Sequence, residues 1–252
     1  MKKSLEYIKK AKSIDTKALG IELETLLLKG GAESKYYLLQ GNYEMSLKII
    51  DEIMDSIKDH PVDYYFAPVY VLKATALNNL GNCNEAYNIV KPIYDKEINE
   101  ISSGNAGGIR LRVIIELARA KLGMDLKKEA LRYAKQAIKI YTHDESRNNF
   151  NLDKSIDTDL ADAFIIQADA LHSLKETKKA IGSYATAEVI YYNKYKQNIT
   201  NLDEVSFLYT KTTFAAHSIK DIYSFNKFKK KHIDKFGVNH FRSKEILKLP
   251  DL

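Results

Sequence analysis

The sequence predicts an all-α chain built from antiparallel helix pairs. Three observations predict it. Only 4 Pro and 11 Gly interrupt 252 residues. Ala, Leu, Lys and Glu recur with apolar positions at helical spacing. No alternating strand-like run is bounded by hairpin turns.

Taken in order, the apolar periodicity places helices near 4–13, 16–29, 32–40, 43–59, 63–80, 83–100, 106–122, 126–142, 156–174, 177–197, 202–219 and 221–236. Gly30-Gly31 separates the second from the third. Gly41-Asn42 and Gly81-Asn82 read as tight helix-to-helix turns, because Gly and Asn tolerate the left-handed conformation that ends a helix. Ser102 to Asn105 is a loop, and Asp144 to Asp153 is the longest internal connection. Pro68 fits only a first turn or a kink. Pro92 removes the hydrogen bond to the Asn88 carbonyl, so helix 83–100 is expected to bend or break there.

The pairs resemble one another. A small residue is followed by a second twelve later, then by an apolar or small residue seven after that. Ala74, Ala86 and Ile93 make one set; Ala118, Ala130 and Ala137 a second; Ala168, Ala180 and Ala187 a third. Ser34, Ser46 and Ile53 make a weaker fourth. Leu77, Leu171 and Tyr37 lie three past the first small position, where Lys121 breaks the pattern. Antiparallel helices cross closely only where side chains are small.

These sets, carried by ALNNLGNCNEA, ELARAKLGMDLKKEA and ADALHSLKETKKA, resemble the tetratricopeptide repeat (TPR) over roughly residues 30–195. The sets are spaced 40, 44 and 50 residues apart, longer than the family's 34, so longer helices are expected. The family's first-turn aromatic and closing proline are missing. Such longer repeats resemble those of bacterial peptide-sensing regulators and kinesin light chain. The resemblance implies a right-handed superhelical solenoid. It divides the chain into an N-terminal helical cap at 1–29, TPR-like repeats at 30–200, a divergent C-terminal capping helix pair at 201–236 and a short basic extension at 237–252. In that last pair Phe225, Phe228, Ile233 and Phe236 are expected inward, with Lys227, Lys229, Lys230 and Lys231 in water.

The resemblance also implies a concave groove lined by the first helix of each pair. It places Val71, Thr75, Asn78 and Asn79 there in one repeat. Arg112, Ile115, Arg119 and Leu122 follow, then Asp162, Ile165, Asp169, His172 and Ser173. Asn78 and Asn79 could bond a peptide backbone. Arg112 and Arg119 share a helix face and could clamp a carboxylate. The Lys/Asn pattern of a chaperone-tail carboxylate clamp is not reproduced.

Charge and composition narrow the function. The net charge is +6. Residues 1–18 carry six Lys against two acids, and 219–252 nine Lys/Arg against four, leaving the body at −3. A basic tail alone gives weak, salt-sensitive contact with phosphates, and no nucleic-acid module accompanies it. Nucleic acid is therefore disfavoured as a partner. Cys83 is the only cysteine, which rules out an internal disulfide and fits a cytoplasmic location. It is expected in an exposed turn. No secretory leader or membrane-spanning run is read.

No catalytic motif is present, so no enzyme, cofactor or metal is expected. His60, His143, His172, His217, His232 and His240 are scattered. Asp157, Asp159 and Asp162 lack the glycine and terminal glutamate of a calcium loop and read as helix-start charges. The 17 tyrosines include the doublets Tyr36-Tyr37, Tyr64-Tyr65 and Tyr191-Tyr192; most tyrosines are expected in the core, with a few left to line a binding surface. The reading is a non-enzymatic scaffold or adaptor for a protein or peptide segment. The alternatives are a peptide-sensing bacterial regulator and, behind it, a nucleic-acid-associated protein.

Overall fold

The computed structural model describes residues 22–58, 66–100, 107–142, 158–195 and 203–252. The expected helix 4–13, the 144–153 connection, His60, His143, Tyr64-Tyr65 and Asp157 lie outside them. The described residues form eleven helices and no strand, in two compact units divided after Met124.

The first unit holds α1 (Glu22–Leu39), α2 (Tyr43–Ile57), α3 (Ala67–Asn79), α4 (Cys83–Glu100) and α5 (Gly107–Gly123). Each helix packs on the next, and α3 also packs on α1 and α5. Ile49, Ile50, Ile53 and Val69 form a core that Leu26, Leu27, Tyr37, Met54 and Leu72 cover. The weak fourth set is real: Ser34 and Ser46 are fully buried and their hydroxyls bond each other at 2.8 Å. Two small polar residues thus satisfy one another at the crossing.

Gly30-Gly31 does not divide two helices, as the sequence suggested; α1 runs through it. An ideal Cβ on Gly30 would lie 2.6 Å from Ile53 Cδ1, so this glycine serves close approach to α2, not a turn. Pro68 sits in the first turn of α3, where its missing N–H costs nothing. Pro92 does not end α4, which continues to Glu100. Cys83 opens α4 and is buried, not exposed in a turn.

The second unit holds α6 (Lys127–Thr142), α7 (Thr158–Ser173), α8 (Thr177–Tyr195), α9 (Asp203–Ser218), α10 (Ile222–Phe236) and α11 (Phe241–Leu247). From α6 to α10 each helix again packs on the next. The set residues Ala130, Ala137, Ala168, Ala180 and Ala187 are all fully buried. Phe225 and Phe228 point inward, while Ile233 and Phe236 are only half-buried. The segment after 236 is more than an extension. Its helix α11 packs on α9 and α10, and Ile246 is fully buried.

Four turns share one backbone solution. Gly41, Gly81, Lys175 and Lys220 take positive φ of 71°, 83°, 65° and 54°. The next residue's N–H reaches back five residues: Asn42 to Tyr37, Asn82 to Leu77, Glu176 to Leu171 and Asp221 to Ala216, at 2.8–3.0 Å. This is the Schellman closure. Lysine at a left-handed position carries a Cβ penalty that glycine lacks, partly offset by glycine's larger unfolded-state entropy. Lys175→Gly and Lys220→Gly should therefore each stabilise the chain by about 0.5–1 kcal/mol, read as raised urea midpoints. Gly81→Lys should do the reverse.

Candidate functional site

In the first unit α3 and α5 lie side by side, and a buried carboxylate joins them. Glu116 is 3% exposed. Its Oε1 accepts from Thr75 Oγ1 at 2.9 Å and from Arg119 Nη1 at 2.6 Å. Its Oε2 accepts from Asn78 Nδ2 at 2.8 Å, and the same amide reaches the Glu116 backbone carbonyl at 3.1 Å. A buried charge is tolerable only when surrounded by such donors. Asn78 Oδ1 is buried without a hydrogen-bond partner. Asn79 is exposed, and its amide donates to Thr75 O at 2.8 Å.

The expected groove residues of α3 and α5 therefore stand in different states. Asn78 and Arg119 converge on Glu116, which sequence reasoning missed. Asn79 and Arg112 are exposed. Ile115 is 3% exposed and belongs to the interior, so its side chain has no surface to offer a ligand. Lys121, the break in the small-residue pattern, is buried with its ammonium 4.0 Å from the Tyr87 ring centroid. Its stem packs as an apolar residue would, and the ring faces its charge.

In the second unit Asp169 on α7 accepts the Tyr184 hydroxyl. Lys211 on α9 reaches both its oxygens at 2.6 Å. Burial, then the Asp169 charge, push the Tyr184 hydroxyl well above its ordinary pKa, so it remains a donor. His172 stands apart: it is exposed and its Nδ1 lies 3.1 Å from Thr177 Oγ1 at the start of α8. Asp162 accepts from Tyr191 at 2.8 Å. Asp159 lies in the first turn of α7, as its helix-start reading requires.

The outer stripe of α9 was not anticipated. Phe207 and Phe214 are 39% and 42% exposed, and Lys211 lies between them on the same helix face. The Lys211 ammonium is 4.9 Å from the Phe207 ring, and the Arg242 guanidinium of α11 is 5.7 Å from it. The C-terminal lysines are less free than expected: Lys231 pairs with Glu188 at 2.9 Å and Lys229 with Asp251 at 2.7 Å.

No protein-family model matches the sequence, and no curated protein matches it. Solved structures do. The Rap protein complexed with Competence and Sporulation Factor matches at TM-score 0.67 and 12% identity, over 88% of this chain and 56% of that one. BtubC (BKLC) from P. vanneervenii matches at 0.66 and 10%, over 92% and 88%. The TPR-like repeats of a putative kinesin light chain from Podosopora anserina match at 0.59 and 11%, over 85% and 97%. The chain has a TPR-like helical-repeat fold. Against the Rap protein it spans little more than half that chain's length. Among the described residues of this TPR-like chain, no helix is long and apolar enough to cross a membrane, and no group of three His, Cys, Asp or Glu is placed to hold a metal ion.

Proposed function

We propose that this is a non-enzymatic scaffold or adaptor that holds a peptide or protein segment against the first helices of its pairs. The observation that carries the reading is the α3/α5 face. There Glu116 fixes Asn78 and Arg119 from below while Asn79 and Arg112 stand exposed beside them. Side chains fixed by a buried partner lose less freedom on binding than free ones. The exposed Phe207 and Phe214 of α9 offer apolar contact on a first helix of the second unit. A cytoplasmic location goes with this reading, supported by the single buried cysteine. The paired states of Lys229 and Lys231 weigh against nucleic acid as the partner. A peptide-sensing regulator is the second reading, favoured by the likeness to the Rap complex.

The test uses the partner recovered by affinity capture and mass spectrometry. Arg112→Glu should weaken its binding at least about tenfold, equivalent to one charge contact, beyond what any shift of the melting curve explains. Arg119→Glu is unsuitable, because it would set a second carboxylate against Glu116. Undiminished binding by Arg112→Glu combined with Asn79→Ala would overturn the assignment of this face.

A further inference from the structure

Helix α11 is fastened to the second unit through His232 and His240. His232 of α10 is fully buried. Its Nε2 lies 2.8 Å from Ser206 Oγ of α9 and its Nδ1 3.0 Å from Ser243 Oγ of α11. Ser243 donates its proton to Gly237 O at 2.6 Å. Its oxygen can therefore only accept from the ring, so Nδ1 carries the hydrogen and Nε2 accepts from Ser206. His240 caps α11: its Nδ1 accepts from Arg242 N at 3.3 Å, which also requires an unprotonated nitrogen. The two imidazoles lie tilted at 59° with centroids 5.4 Å apart; Phe236 packs on both and Phe241 on His240.

From these contacts we infer that α11 is an acid-released clasp: protonation of His232 detaches it from α9 and α10 and uncovers the terminal face of the second unit. The surroundings of His232 oppose a proton. Arg242 approaches from α11, and Lys231 and Lys235 flank His232 on α10. From α9 come Ser206 and Tyr209, whose hydroxyl is committed to Glu188 on α8. Glu188 also takes Lys231. Burial, then His240 and Arg242, hold His232 down to about 4. Once released, the ring returns to its ordinary value near 6.5. The other tethers include the Arg242 guanidinium over Phe207, the Pro250 carbonyl to His217 at 3.2 Å and Asp251 to Lys229. Detachment exposes the seat of Ile246.

Below the free value and above the held one, the released state binds more protons, so release grows as pH falls. For one histidine moving between 6.5 and about 4, the release constant at pH 5 exceeds that at pH 7.5 by about 30-fold. Hydrogen exchange of the full chain, corrected for intrinsic rates, reads this directly. Amides of 241–247 should lose about 30-fold in protection between pH 7.5 and 5 while α9 and α10 keep theirs. His240→Asn, which preserves a cap and removes a neighbour that holds His232 down, should reduce that loss. Protection of α11 independent of pH, or lost together with α9 and α10, would overturn the clasp.

Discussion

Glu116→Ala should lower the unfolding free energy of the chain by about 3 kcal/mol, because it strands donors in a buried site. Thr75, Asn78 and Arg119 all give hydrogen bonds to this one carboxylate. Arg119 is partly exposed and can recover water. Asn78 already has a buried, unpartnered carbonyl oxygen, and losing the carboxylate leaves its amide with the Glu116 backbone carbonyl alone. Glu116→Gln keeps an acceptor for one donor but turns an amide toward the others, and should cost about half as much. Urea denaturation at pH 7 measures both. A loss below about 1 kcal/mol for Glu116→Ala would mean that water fills the node. The double variant with Arg119→Ala should be much less than additive, since the two side chains share one interaction. If Asn78 also reads the ligand, Glu116→Ala should weaken partner binding beyond what the stability loss explains.

The helix pairs were legible because their cause is local and periodic. Small residues twelve apart mark the crossings, and even Ser34 and Ser46 obeyed that rule. What stayed hidden depends on who faces whom across repeats. Gly30-Gly31 looks like a turn in one dimension, and only Ile53 on the next helix reveals it as a contact. Lys175 and Lys220 occupy the left-handed turn position that glycine advertises elsewhere, so two of the four shared turns carried no signal. Glu116 did leave a trace: a lone acid within the apolar run Val113 to Ala118. Such an acid is a misfit unless donors await it, and those donors come from a helix about forty residues earlier. The Asp169–Lys211 pair and the His232 cluster likewise join residues many positions apart. Periodicity finds which face is buried; it does not find the polar partner set into that face.

Gly123→Ala should cost about 2 kcal/mol, the scale of overpacking a tight core contact. Gly123 closes α5, and an ideal Cβ there would lie 2.2 Å from Cys83 Sγ and 3.3 Å from Cys83 Cβ. Alanine is otherwise the better helix former by about 1 kcal/mol, so a loss would mark the clash with Cys83 and not helix propensity. The sulfur is the obstacle. Cys83→Ala removes it and leaves only the 3.3 Å approach, so the double variant should recover most of the loss although Cys83→Ala alone destabilises by trimming a buried side chain. Thiol labelling gives a second readout. Burial raises the pKa of Cys83 and shields it, so the native thiol should react slowly, since the thiolate is the nucleophile. Gly123→Ala must push the sulfur out or part the helices, and either speeds labelling. Gly30→Ala meets Ile53 at Cδ1, 2.6 Å away, and Cγ1, 2.9 Å away, the outer atoms of a side chain that a rotamer change can move, so its cost should be smaller. If Gly123→Ala melts and labels like the native chain, the approach of α4 to α5 is looser than these contacts require.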